Sequence, residues 1–339
     1  MNRMFMALAI LIIPLMSYAN QAGEKYIESG DIKGRSGDHR GAIEDFNKAI
    51  AIDSNNAIAY NNRGYAKNHL GDYPGAIEDF NRAIGIDSNY ASAYNSRGYA
   101  ENRLGDYQKA IRDFTIAIGL NTNYTSAYNN RGHVRNRLGD YQEAIEDFNK
   151  AIDLDPKFAS AFNYRGYADY HSGDFKSAIA DTSRAIDLEP KYAFAFNNRG
   201  LAEIGLADYK SAMDDFSRAI ELQPDFARAY NNRGFSKISI GKNNEAIEDF
   251  DKALKLDPTY AMAYNNRGYA RMKSGDNPGA IEDFNRATTL KPEYASAYYN
   301  LGLARMNLGD NKGALTELKK ALETGYTKAA ELINQITNK

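Results

Sequence analysis

The chain is 339 residues long and carries 42 basic against 44 acidic side chains, so no whole-molecule field points to nucleic acid. It has no cysteine, which excludes disulfides, thiolate metal sites, a cysteine nucleophile and a lipidated-cysteine anchor. Twenty-five tyrosines beside only eight prolines argue against low-complexity disorder.

The first segment reads as a leader. Arg3 supplies a positive start, Met4 to Met16 an apolar stretch, and Ser17-Tyr18-Ala19 a small-x-small cleavage site before Asn20. That apolar stretch, interrupted by Pro14, is too short to cross a bilayer, which takes roughly 20 residues. The expectation is a cleaved signal peptide over residues 1–19. The protein would then be exported, periplasmic or secreted, with no stable membrane anchor after cleavage.

From Gly23 to Lys328 the sequence matches itself at an offset of 34 residues, in nine tandem units without an insertion. Ala59 onward reads AYNNRGYAKNHLGDYPGAIEDFNRAIGIDSNYAS, and Ala127 onward reads AYNNRGHVRNRLGDYQEAIEDFNKAIDLDPKFAS. Each unit predicts two amphipathic helices. In the second, Ala76, Ile77, Phe80, Ala83 and Ile84 form an apolar stripe with Glu78 and Asp79 on the opposite face. Gly71-Asp72 closes the first helix and caps the second. Pro156, Pro190, Pro224, Pro258 and Pro292 follow second helices, where a helix does not readily continue.

A glycine recurs in the middle of the first helix, from Gly30 through Gly64 to Gly302. Each disfavours the helix by about 1 kcal/mol relative to Ala, so its repetition predicts close approach of the paired helix. The series from Ala42 through Ala76 to Ala314 supplies the matching small surface. Arg63 and its equivalents through Arg267 precede the glycine, and an Asp follows sixteen residues later, from Asp79 to Asp283. This pairing predicts an Arg–Asp bridge between the helices of each unit.

The pattern resembles the tetratricopeptide repeat in length and in its Gly, Ala, aromatic and Pro positions, with Tyr60 where the family often has Trp. The resemblance implies an all-α fold: a TPR alpha-alpha superhelix, a right-handed solenoid of nine helix-turn-helix repeats over 23–328. The first and last units are degenerate, with Glu28-Ser29-Gly30-Asp31 in one and Leu301, Leu318 and Tyr326 in the other. Residues 329–339 are read as a capping helix and tail. The resemblance also implies a concave groove lined by each first helix, where the family binds ligands.

Positions three and two before the glycine, and one, four and five after it, fall on one face of the first helix. The candidate ligand-binding residues in the polar half are Asn61, Asn62, Asn68, Asn95, Asn102, Arg103, Asn129, Asn130, Asn136 and Arg137. The apolar half offers Phe194, Asn197, Asn198, Ile204, Asn231, Asn232, Ile238, Met262, Asn265, Asn266, Met272 and Met306. The asparagine rows resemble the ladder in the repeats of O-linked N-acetylglucosamine transferase, and a carboxamide suits the backbone of an extended peptide. The alternative, that they brace neighbouring repeats, is the favoured reading. Tyr65, Tyr99, Tyr167, Phe235 and Tyr269 either brace the groove or stack on sugar rings. The carboxylate clamp known in the family for chaperone tails needs Lys and Arg where this chain has Asn.

No phosphate loop, dinucleotide fingerprint, zincin motif or nucleophile elbow is present, and the four histidines lie in different units. The chain is therefore read as no enzyme, with no cofactor and no metal. Its expected role is a scaffold or adaptor binding an extended protein or peptide partner with acidic and apolar stretches. The alternatives are a structural or self-assembling element, and recognition of cell-wall glycan.

Overall fold

The computed structural model describes residues 21–338, so the leader expected over residues 1–19 lies outside the described residues. Among the described residues all regular structure is helical. The chain divides into two compact units, one ending at Ala168 and the other beginning at Asp169. In the first, α1 (residues 21–35) pairs with α2 (His39–Ile52), α3 (Ala57–His69) with α4 (Tyr73–Ile86), α5 (Ala91–Leu104) with α6 (Tyr107–Leu120), and α7 (Thr125–Leu138) with α8 (Tyr141–Leu154). The division falls inside α9 (Ala159–His171). The second unit continues with α10 (Phe175–Leu188), then pairs α11 (Ala193–Gly205) with α12 (Tyr209–Leu222) and α13 (Ala227–Ser239) with α14 (Asn243–Leu256). Two more pairs follow: α15 (Ala261–Lys273) with α16 (Asn277–Leu290), and α17 (Ala295–Asn307) with α18 (Asn311–Glu323). A short α19 (Ala329–Thr337) closes the chain.

The hairpins form where the sequence places them. Asp72 caps α4 by accepting a hydrogen bond from the Gly75 amide at 3.0 Å, and Asp276 does the same for Gly279 at 2.9 Å. The preceding glycine adopts a left-handed backbone, as at Gly71 with φ of 80°. The sixth repeat has Ala207 there instead, at φ of 60°.

Small residues set the depth of helix packing. Phe80, Phe114, Phe148, Phe216, Phe250 and Phe284 are fully buried, each with its ring against the mid-helix glycine of the partner helix. A methyl group at Gly132 would lie 2.8 Å from Phe148 Cε1 and 3.2 Å from the Ala144 carbonyl oxygen. The glycine is thus required by the aromatic ring as well as by the neighbouring backbone. Thr182 takes the phenylalanine position in the fifth repeat, buried, with its hydroxyl donating to the Ala178 carbonyl at 2.6 Å.

The expected Arg–Asp bridge forms, and the arginine reaches further than the spacing implied. Arg63 donates through Nε and Nη2 to the two carboxylate oxygens of Asp79, which is 2% exposed. Its Nη1 donates to Asn47 Oδ1 on α2, so the side chain also ties α3 to the preceding repeat. The same double reach holds for Arg97 on Asp113 and Asn81, Arg131 on Asp147 and Thr115, Arg199 on Asp215 and Ser183, Arg233 on Asp249 and Ser217, and Arg267 on Asp283 and Asp251. Each guanidinium lies over the aromatic ring three residues before it, at 5.3 Å for Arg63 on Tyr60 and 5.5 Å for Arg267 on Tyr264. Hydrogen bonding to Asp79, Asp113 and Asp215 raises the pKa of Arg63, Arg97 and Arg199.

At the end of the second unit, α19 covers the last hairpin. Ala329 is buried with Leu318 and Ala321, and Leu332, Ile333 and Ile336 pack on them beside Tyr326. The expected capping helix is present.

Gly132→Ala is expected to lower stability by about 1–3 kcal/mol, because overpacking against Phe148 outweighs the gain in helix propensity. Gly85→Ala, at a helical glycine with nothing near its added methyl, is expected to raise stability by up to about 1 kcal/mol. Urea unfolding followed by circular dichroism separates the two, and equal effects of the same sign would refute the packing account. A second comparison isolates the bridge. Arg97→Ala removes the ion pair to Asp113, and is expected to cost roughly 3–5 kcal/mol. Arg131→Ala leaves Arg135 at 2.7 Å from Asp147 and is expected to cost about 1–3 kcal/mol, with the same measurement ranking the two.

Candidate functional site

Within each repeat, residues two before the glycine, one after it and five after it form an outward stripe along the first helix, extended by the residue six before it. In the first unit α3 presents Ile58, Asn62, Tyr65 and His69, with Ile58 52% and Tyr65 56% exposed. Helix α5 presents Ser96, Tyr99 and Arg103, and α7 presents Asn130, His133 and Arg137. In the second unit the stripe includes Phe194 and Asn198 on α11, Asn232 and Phe235 on α13, and Met262, Asn266 and Tyr269 on α15. Phe194 is 47% and Met262 48% exposed.

The remaining candidates turn inward. Asn61, Asn68, Asn102, Asn129, Asn136, Asn197, Asn231 and Asn265 are buried, and Asn95 is half-buried. Ile204, Ile238, Met272 and Met306 are half-buried. Ile238 packs on Ala246, Phe250 and Ala270, Met272 on Ala280 and Phe284, and Met306 joins the cluster under α19. The five positions read as one face therefore separate: the residues three before and four after the glycine lie between neighbouring repeats. The most exposed of the candidate side chains, Arg103, Arg137, Phe194 and Met262, lie on the outward stripe.

The two asparagine rows form a ladder across repeats. Asn130 Nδ2 donates to Asn95 Oδ1 at 3.1 Å, a step of 35 residues. Asn232 donates to Asn197, Asn266 to Asn231 and Asn300 to Asn265, all at 2.9–3.0 Å. Asn62 reaches Asp31 at 2.8 Å in the degenerate first repeat. The rungs break where the donor row changes residue. Thirty-five residues beyond Asn61 and Asn129 stand Ser96 and Tyr164. There Asn68 and Asn136 donate instead to the Ser96 and Tyr164 carbonyl oxygens, at 3.3 and 2.9 Å. The Oδ1 atoms of Asn61, Asn68, Asn129 and Asn136 are left buried without a partner, a satisfiability defect at these two boundaries.

The basic residues of the first unit rest on aromatic rings. Arg103 lies over Tyr73 at 5.2 Å and donates to Tyr99 Oη at 3.2 Å; Arg137 lies over Tyr107 at 4.9 Å. Both guanidinium groups stay exposed, so their charge faces solvent on a rigid aromatic support. In the second unit Phe194 stacks obliquely on the buried Phe226, with ring centroids 4.9 Å apart, and the Met262 sulfur accepts from Asn231 Nδ2 at 4.0 Å. Burial lowers the pKa of His69, His133 and His171, which favours their neutral forms at pH 7.

One feature of the first unit carries no simple periodic signal. His39 and His69 stack at 4.4 Å beside a cleft of about 510 Å³ lined also by Asp31, Gly34, Arg35 and Tyr65. Gly34 stands where other repeats have Asn68 or Asn102, and His39 where they have Tyr73 or Tyr107. Comparing registers, rather than seeking the consensus, would have found it. Among the described residues no group of three or more His, Cys, Asp or Glu side chains is arranged to hold a metal, and no helix is long and apolar enough to cross a membrane.

Ser96→Asn is expected to supply the missing rung to Asn61 and stabilise the first unit by roughly 0.5–1.5 kcal/mol. Urea unfolding of the variant beside wild type is the measurement, and a destabilised variant would show that the ladder geometry does not extend to this boundary.

Three family models match. One described as TPR repeat covers residues 30–68, 236–275 and 268–309. Two described as tetratricopeptide repeat cover 57–90 and 125–158, and 91–124, 195–226 and 295–324. No curated protein matches the sequence. Among solved structures, a tetratricopeptide repeat protein from Parabacteroides merdae is 21% identical, with 73% of this chain and 98% of that one covered, at a TM-score of 0.60. A chain of the APC/C hetero-tetramer Cut9–Hcn1 is 15% identical, with 93% of this chain and 76% of that one covered, at a TM-score of 0.66. Both likenesses concern the fold. With its helical hairpins, mid-helix glycines and family matches spread along its length, the chain belongs to the tetratricopeptide-repeat family.

Proposed function

We propose that the protein is an interaction scaffold or adaptor, and that the outward stripe of its first helices holds an extended segment of a partner protein. The family membership supports the general role. The observation that supports the finer reading is the exposure of large apolar side chains that the packing covers only in part. Phe194 and Met262 are each about half exposed, although burial of such a side chain is worth roughly 1.5–3 kcal/mol. Their presentation to water makes sense as a binding surface rather than as core.

The two units offer different chemistry. The first holds Arg103 and Arg137 on tyrosine rings, flanked by Tyr65 and Tyr99, and suits a segment with carboxylates. The second offers Phe194, Phe235 and Met262, with the asparagine carboxamides of Asn232 and Asn266 alongside, and suits an apolar segment. Met adapts to irregular surfaces, which fits a partner recognised by stretches rather than by one rigid pocket. No reacting group, cofactor or metal enters this account. The leader pattern over residues 1–19 supports an exported location, where the partner would be met.

The test is chemical cross-linking of the native protein in its own cells, identification of the partner segment, and titration of that segment against variants. Arg103→Glu with Arg137→Glu is expected to weaken binding at least about tenfold, and Phe194→Asp with Met262→Asp by a similar factor. Circular dichroism of the variants should be unchanged, since all four side chains lie outside the packed interior. Full binding by both double variants would remove the stripe as the site.

A further inference from the structure

The residue three positions after each mid-helix glycine faces the buried aspartate of the second helix. In the first, second, fourth, seventh and eighth repeats it is a cation against that aspartate, and in the ninth Arg305 meets Glu317 in its place. Lys33, Lys67, Arg135, Lys237 and Arg271 place a nitrogen 2.6–2.9 Å from Asp45, Asp79, Asp147, Asp249 and Asp283. These pairs join the Arg–Asp bridges. Lys33, Ser29 and Lys48 together lower the Asp45 carboxyl to about 2, against the opposing effect of burial.

In the third, fifth and sixth repeats the residue is an acid, Glu101, Asp169 and Glu203, and the two glutamates are left with an unpartnered buried oxygen. Glu101 on α5 stands against Asp113 of α6, and Glu203 on α11 against Asp215 of α12. Glu101 is 7% exposed and Glu203 half-buried, and Oε2 of each is buried without a hydrogen-bond partner. Around Glu101 the charged groups are Arg97 on its own helix, Asp113 and Lys109 on α6, and Asp106 at the α6 cap. Arg97 is engaged with both Asp113 oxygens and with Asn81 of α4, and Lys109 with Asp106 at 2.7 Å. Around Glu203 they are Arg199 on α11, Asp215 and Asp214 on α12, and Asp208 at the α12 cap. Arg199 is engaged with Asp215 and with Ser183 of α10. At both places two carboxyl groups share one guanidinium that already serves the aspartate.

We propose that Glu101 and Glu203 make the third and sixth hairpins pH-sensitive: protonated and quietly packed in mild acid, ionised and loosened in mild alkali. Burial first, and then the neighbouring aspartate, pushes the Glu101 carboxyl up to about 7 and that of Glu203 up to about 8. An ordinary glutamate, as in the unfolded chain, titrates near 4.5. Below that value both states hold the proton and no stability is lost. As pH rises from 4.5 through 7 and 8, the unfolded chain gains ionisation that the folded hairpins resist, so stability falls across that window. The proton released goes to solvent. The device is independent of the scaffold reading, since it lies between the helices of a hairpin and touches no stripe residue of that reading.

Hydrogen exchange of the full chain, corrected for the intrinsic pH dependence of amide exchange, tests this at roughly pH 4 and 8.5, on either side of the window. Wild type and the Glu101→Gln/Glu203→Gln variant should open alike at the acid value. At the alkaline value, α5–α6 and α11–α12 of wild type should open roughly 10- to 100-fold more often than in the variant. Helices α7–α8, where Arg135 holds the same register, should show no difference and serve as an internal control. Glu101→Lys/Glu203→Lys, which installs the cation found in other repeats, should likewise lose the pH response. An unchanged pH response in both variants would overturn the proposal. So would carbon-13 carboxyl signals of Glu101 and Glu203 that titrate at the ordinary glutamate value.

Discussion

The hairpins of this molecule are built, in all but the fifth and ninth repeats, on the meeting of a glycine backbone and a phenylalanine ring. The distance from a hypothetical Gly132 methyl to Phe148, 2.8 Å, is shorter than a carbon–carbon contact allows, so the two helices approach as closely as their backbones permit. That approach brings the first-helix arginine alongside the second-helix aspartate, where both of its donor edges engage the carboxylate. Burying the carboxylate without such a partner would be heavily unfavourable. The ion pair therefore follows from the packing depth, and the outer reach of the same arginine to the preceding repeat converts a hairpin into a member of an array.

The same packing decides which first-helix side chains stay exposed. A first helix has a second helix on one side and the next repeat on another. Asn68 or Ile238, four residues after the glycine, is drawn between repeats. What remains facing water is a narrow line of residues at helical spacing, and its chemistry differs between the two units. Arg103 and Arg137 on tyrosine rings characterise one; Phe194 and Met262 characterise the other.

Periodic constraints were legible in the residues. The recurring glycine, the alanine opposite it and the arginine with its aspartate announced the hairpins, because each would be unfavourable without the contact it makes. The capping helix was legible as the stretch left after the ninth unit, and the structure shows Leu332, Ile333 and Ile336 seating it. The limits of the candidate surface were not. Helical spacing assigns Asn61 and Asn62 to one face, but only the neighbouring repeat determines that the first is buried and the second half-buried. Likewise the ladder was visible as rows of asparagine, whereas its broken rungs depend on which residue of the next repeat, Ser96 or Tyr164, meets the waiting carboxamide.

Departures from the repeat deserve a physical reading for the same reason. In a stacked array stability is close to a sum of repeat and nearest-neighbour terms, so a local defect weakens its own neighbourhood without dissolving the rest. Thr182 in place of a buried phenylalanine, Ala207 in a left-handed turn and Glu101 in place of a cation each remove a contribution that sibling repeats retain. A globular domain unfolding in one cooperative step would share such losses throughout. In a repeat array the losses stay local, so a carboxyl group whose charge follows pH can modulate one hairpin while the arginine bridges on either side keep their grip.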